Sequence, residues 1–381
     1  MKRFFSYSIL SFFLLLLPTG QASANNNDSI RLSLLTCAPG EEIYSLFGHT
    51  AIRYENSSQG IDVVFNYGLF SFNTPNFIFR FSLGETDYQL GATDYERFAA
   101  EYAFFGRSVW QQTLNLTDEE KTELIRLLQE NYRPENRVYR YNFFYDNCAT
   151  RPRDKIEESI AGKVIYPAEP QDGSLTFRDI VHQYCKGHPW ARFGIDLCIG
   201  SEADQPITQR QMMFAPFYLM DAFDGAQIKG DSIQRPLITA NELIVDATPE
   251  PDESDWMPTP LQCSLLLFIL TAAATIYGIR RRTGLWGIDL FLFGIAGIVG
   301  CVLAFLALFS QHPAVSSNFL LLVFHPGQLL FLPYIIYCVR KGKKCWYLTL
   351  NLAVLTLFIV LFPVIPQRFD FAVVPLALCL L

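Results

Sequence analysis

The sequence predicts an α+β extracytoplasmic domain followed by an all-α transmembrane bundle. Three observations carry that reading. A secretory leader opens the chain, the composition turns strongly apolar from Leu261 onward, and a β-hairpin pattern followed by segments of helical period lies between them.

The leader spans residues 1–24. Lys2 and Arg3 form a basic start, an apolar run follows from Ile9 to Leu17, and Ala22-Ser23-Ala24 is a small-x-small cleavage signal. The apolar core is short for a membrane anchor, which favours cleavage. No cysteine directly follows the apolar run, so the chain does not read as a lipoprotein itself. Residues 25–256 are charged and aromatic-rich, long enough for one sizeable domain, and end in a short acidic, proline-containing linker over 248–255. Residues 257–381 read as a membrane domain of four to five helices. The candidate spans are 261–279, 285–309, 319–339 and 346–365, each near the roughly 20 residues a bilayer requires. The apolar piece 371–381 is too short to cross at full thickness; it is a partial span, or the native chain continues beyond it.

Loop charge sets the orientation. Arg280-Arg281-Arg282 joins the first two spans, and Arg340, Lys341, Lys343 and Lys344 join the third and fourth. Basic loops stay in the cytoplasm, which puts the globular domain outside. A net charge of −7, with no basic run in the soluble half, argues against a nucleic-acid partner.

Within the soluble half, residues 43–70 carry two extended runs separated by the turn sequence Asn56-Ser57-Ser58-Gln59-Gly60. Closing the hairpin with Glu55 opposite Gly60 pairs Arg53 with Asp62, Ala51 with Val64 and His49 with Asn66. His, Arg, Asp and Asn then share one face, and Thr50, Ile52, Tyr54, Ile61, Val63 and Phe65 the other. Helices are expected over 94–104 and 117–131, the second opened by the capping box Thr117-x-x-Glu120 with a Leu124, Leu127, Leu128 stripe. A weakly alternating strand over 138–144 leads to Cys148, and a helix over 149–160 follows, with Ile156 and Ile160 on one face.

Between leader and membrane the thiols are Cys37, Cys148, Cys185 and Cys198, and the imidazoles are His49, His182 and His188. A thiol nucleophile needs a base, a group to orient that base, and donors for the oxyanion. Asn147 can cap the helix after Cys148 and place the thiol over the first-turn N–H groups, an environment that lowers a thiol pKa. Pro152 fits only if that helix begins at Cys148 or later. His49 is the histidine on the hairpin's polar face, and Asn66 can orient it, which gives Cys–His–Asn roles. The plainer alternative is a buried small thiol and a structural His–Asn pair. Asp62 is the rival orienter, although Arg53 competes for it. A Cys37–Cys148 disulfide would end the catalytic reading. His182, Cys185, His188 and Cys198 have metal-like spacing, but a Cys185–Cys198 disulfide or plain packing suits an oxidising compartment better. No metal or cofactor is expected.

GHTAIR (48–53), FNYGLF (65–70) and YDNCATR (145–151) resemble the Lnb-type bacterial lipoprotein N-acyltransferases, over residues 30–220 by sequence and over the membrane half by architecture. The resemblance implies a permuted NlpC/P60 (papain-like) domain, in which the histidine strand precedes the cysteine helix. It implies His49 as base, Cys148 as acyl-carrying nucleophile and, less directly, Asn66 as third member. It further implies a membrane phospholipid as acyl donor, a diacylated lipoprotein as acceptor, and a place in the inner membrane with the domain facing the periplasm. The rival readings are a cysteine peptidase or amidase acting on cell-wall peptide, and a non-catalytic membrane sensor. Pro313, Pro326-Gly327 and Pro333 are expected to break the third span and shape a lipid-access groove; His312 and His325 there are either functional or simply packed.

Overall fold

The computed structural model describes residues 29–73, 75–168, 175–230, 234–247 and 257–381. The leader and the linker over 248–255 lie outside the described residues. The soluble half is α+β, as the sequence predicts. Its frame is a seven-stranded antiparallel sheet built from β1 (Ile30–Cys37), β2 (His49–Asn56), β3 (Ile61–Leu69), β4 (Asp87–Asp94), β5 (Val109–Leu114), β6 (Val138–Arg140) and β10 (Ile238–Val245), in the order β10-β5-β1-β2-β3-β4-β6. β7 (Lys163–Ile165), β8 (Gln227–Lys229) and β9 (Gln234–Pro236) form a small separate sheet.

Helices cover both faces of the large sheet. Leu32, Leu34, Ile52, Tyr67 and Leu90 pack on α3 (Asp118–Tyr132), α4 (Thr150–Ser159) and α8 (Pro216–Asp224). The opposite face buries Leu35, Cys37, Ala51, Val64 and Val109 beneath Phe98 of α2 (Tyr95–Phe104). The predicted helices therefore form, with the Thr117–Glu120 capping box in place. The strand expected over 138–144 shrinks to Val138–Arg140, because Asn142 turns the chain back through backbone bonds with Asp146.

The hairpin register differs from the sequence expectation by two residues. Asn56 faces Ile61, Arg53 faces Val64 and Ala51 faces Asn66. The loop is Ser57–Gly60, because Asn56 accepts from the backbone N–H of Gln59 and the hydroxyl of Ser58, and Gly60 takes the left-handed position with φ 64°. A two-residue shift keeps every side chain on its predicted face. The expected partners then meet diagonally: Arg53 donates to both carboxylate oxygens of Asp62 at 2.8 and 2.6 Å.

In the membrane half, α9 (Pro260–Arg281) and α10 (Trp286–Phe309) are long and apolar enough to span a bilayer. The third candidate span is broken, as its prolines predict: the segments Phe319–Leu330 and Leu332–Lys341 meet at 72°. Trp346–Leu361 is a shorter apolar helix, and Val373–Cys379 a short one. The two basic loops lie together, with the Arg340 guanidinium 5.3 Å from the Trp286 ring. The opposite ends hold the soluble domain: Gly200 N–H donates to Ala314 O, Asn318 to Leu197 O, and Gln311 N–H to Leu83 O.

A further joint is ionic and runs through Arg368. Arg178, on α5 (Phe177–Tyr184), is wholly buried and donates to Asp196, to Asp204 and to the carbonyls of Ile199 and Gly200. Arg368, from the bundle, binds Asp204 and Asp179 from the other side. Arg178→Ala leaves Asp196 with His182 alone and Asp204 with Arg368 alone, so thermal unfolding of the detergent-solubilised chain should show a loss of about 1–3 kcal/mol. A smaller loss would show that the buried network does not stabilise this region.

Candidate active site

Cys148 stands between β6 and α4, in a turn fixed by Asn147. The Asn147 side chain is buried, and its Oδ1 accepts from the N–H groups of Ala149 (2.8 Å) and Thr150 (3.0 Å). Its Nδ2 donates to the carbonyls of Phe143 and Phe214, and its own N–H donates to the Thr150 hydroxyl. Asn147 thus caps the turn that leads into α4, and Pro152 is the third residue of that helix, in its first turn, where a proline is tolerated.

That capping also changes an expectation. The N–H groups of Ala149 and Thr150 are consumed by Asn147, so they are not free to meet an oxyanion. The sulfur faces instead its own N–H and that of Thr50 on β2. The thiol is thereby held against the residue that follows His49.

His49 starts β2, directly after Gly48. Gly48 has φ +77°, and a Cβ there would lie 2.5 Å from the Cys37 carbonyl oxygen, so only glycine suits the approach. His49 Nε2 is 3.2 Å from Asn66 Oδ1. An amide oxygen only accepts, so Nε2 carries the proton and Nδ1 keeps the lone pair. The structure thus brings the His49–Asn66 pair and Cys148 to one end of the sheet. No hydrogen bond joins Nδ1 to the thiol in this resting arrangement; such contacts often close only with substrate bound. Asp62 is occupied by Arg53, which also donates to Gln111 and stacks 3.3 Å from the Tyr95 ring centre, so Asp62 does not orient His49.

Burial dominates the electrostatics. It pushes the Cys148 thiol up to about 11, against the lowering effect of the two backbone donors. Burial, with the Arg107 cation nearby, pulls His49 down to about 4, while the Asn66 bond acts in the opposite sense. The expectation of a lowered thiol pKa is therefore corrected: desolvation outweighs the helix start, and both groups rest neutral.

Residues that the sequence did not single out complete the site. Gly68 (φ +90°) follows the bulge after Asn66, and a Cβ there would lie 3.5 Å from that of Cys148. Tyr139 has a buried hydroxyl without a partner among the described residues, and it lies 4.0 Å from the same point. Gly68 lies within FNYGLF, but its approach to the thiol, like the orphaned Tyr139 hydroxyl, is visible only in three dimensions.

Cys37 lies at the same sheet end, opposite His49 across β1 and β2; it is free and buried, its thiol raised to about 12, and no disulfide joins it to Cys148. Cys185 and Cys198 are also free. His182 Nε2 lies 2.9 Å from each Asp196 carboxylate oxygen, and His188 is 3.7 Å from Glu41, so each faces a carboxylate. An apolar cleft of about 150 Å³ beside α10 is lined by residues such as Phe193, Leu292 and Phe324, and includes none of the site residues.

Two family models match the chain in order. The Lnb N-terminal periplasmic domain matches residues 20–182, and the Lnb transmembrane domain matches residues 252–381. No curated protein and no solved structure matches.

A thiol near 11 reacts only through its small thiolate fraction. Iodoacetamide labelling of Cys148, followed by peptide mass spectrometry, should therefore rise ~10-fold per pH unit across the neutral and mildly alkaline range. A plateau from pH ~7 upward would reveal a resting thiolate and contradict the neutral pair.

Proposed function

The chain belongs to the Lnb family, and on that premise we propose that it is a thiol-dependent lipoprotein N-acyltransferase. The supporting observation is the His49–Asn66 pair, with Nδ1 left basic, at the same sheet end as a thiol pinned by Asn147. In this reading residues 1–24 are removed, residues 25–256 form the periplasmic catalytic domain, and residues 257–381 anchor it in the inner membrane. Docking of the domain against the ends opposite the basic loops supports that orientation.

His49 Nδ1 takes the Sγ proton of Cys148 as the sulfur attacks an ester carbonyl of a membrane phospholipid. The Cys148 N–H, and the Tyr139 hydroxyl if it turns inward, stabilise the oxyanion. Collapse breaks the C–O bond, and the imidazolium protonates the departing lysophospholipid. The α-amine of a diacylglyceryl-cysteine then attacks the thioester, the C–S bond breaks, and the amine proton returns through His49 to the sulfur. Starting from neutral partners suits a lipid-facing site, where a standing ion pair would carry a large desolvation cost.

Incubating the purified chain with phospholipid vesicles should add the mass of one acyl chain at Cys148 and release lysophospholipid. Cys148→Ala should abolish both. His49→Ala should slow acylation ~10²–10⁴-fold, and Asn66→Ala by less, since it only positions the base. Lipoprotein N-acylation that persists in Cys148→Ala would defeat the assignment.

A further inference from the structure

Tyr88 and Tyr141 stack at 4.2 Å, and the same core cluster takes in Cys148. From Tyr88 an unbroken file of rings runs outward: Phe70 at 5.0 Å, then Phe77 at 5.8 Å, then Phe81 at 6.0 Å. Phe77 and Phe81 belong to α1 (Phe77–Ser82), whose neighbouring Ile78 and Phe79 are 79% and 59% exposed. Its one charged residue, Arg80, is turned back to Asp87 at 2.6 Å. A six-residue helix with this much bare apolar surface is not built to face water.

The place of α1 identifies what covers it. Phe79 lies 6.0 Å from Phe305 on the last turns of α10, and α10 is itself a membrane-spanning helix. Leu83 O accepts from Gln311 N–H, and Phe81 O accepts from His312 Nε2, so α1 is bonded to the chain just beyond the end of that span. Phe305 precedes the final residue Phe309 by about one helical turn, so Phe79 lies at the depth of the bilayer edge.

We propose that α1 lies in the outer-leaflet interface, and that the file from Phe81 through Phe77, Phe70 and Tyr88 is the path by which a phospholipid acyl chain reaches Cys148. The path rests on the acyl-transfer reading above; the seat of α1 in the leaflet does not. Aromatic rings at an interface accept lipid on one side and polar groups on the other.

The test uses the full chain in nanodiscs of brominated or ordinary phosphatidylcholine, with parent emission subtracted. Ile78→Trp and Phe79→Trp should lose most of their added emission in brominated lipid. Ile165→Trp, exposed on the small sheet whose strands do not pack on the bundle, should keep its emission. In parallel, Phe77→Ser combined with Phe81→Ser should lower the ratio of Cys148 acylation by vesicle phospholipid to that by p-nitrophenyl acetate at least ~10-fold. Absence of quenching at positions 78 and 79 overturns the proposal whatever the activity. Quenching with an unchanged ratio overturns the path to Cys148. A parent chain that takes an acyl group from neither donor defeats the acyl-transfer reading instead, and quenching still decides where α1 sits.

Discussion

Everything at the site depends on one buried amide. Asn147 accepts from two N–H groups of the first helical turn and donates to Phe143 and Phe214, so a single side chain fixes the start of α4 and the preceding turn. Buried amides left unpaired are expensive, which makes this arrangement all-or-none. It leaves Cys148 one geometry, against Thr50, and thereby sets the thiol beside the strand that carries His49. The same bonds occupy the N–H groups of Ala149 and Thr150, so in the proposed reaction the oxyanion is met by Cys148 itself and by neighbours outside the helix.

The second constraint is dryness. With the thiol near 11 and the imidazole near 4, neither group carries charge across the physiological range. His49 becomes cationic only as pH falls through its lowered value, so the base remains available well into acid. In the proposed reaction charge appears only while a carbonyl is being attacked, where nearby dipoles act in a medium of low dielectric constant. Arg368 of the bundle binds Asp204 and Asp179, and buried Arg178 holds Asp204 from within the soluble half, so the two halves are tied together at that carboxylate.

Much of this was legible in the sequence, and the failures have physical causes. His49, Asn66 and Cys148 were singled out because the hairpin alternates cleanly and YDNCATR sets an amide before a thiol at a helix start. The register missed by two residues because a period-two pattern cannot distinguish such shifts; Asn56 and Gly60 decide them through turn chemistry. β1 is hard to read from sequence because the alternation of Ile30 to Leu34 breaks at Leu35, where both faces of the strand are buried. The sequence shows the helix-start donors that would lower the thiol pKa but not its desolvation, which depends on the packing of Tyr139, Tyr141 and Gly68 around the sulfur. The break in the third span, by contrast, followed directly from Pro326 and Pro333.

The central claim is that the thiol and the imidazole of His49 can meet. Dibromoacetone, whose two electrophilic carbons bridge a thiol and an imidazole that lie within reach of each other, tests this directly on the full chain. The account predicts a single cross-linked peptide pair joining Cys148 to His49, lost in Cys148→Ala and in His49→Ala. Alkylation of Cys148 alone, with His49 unmodified in wild type, would contradict it.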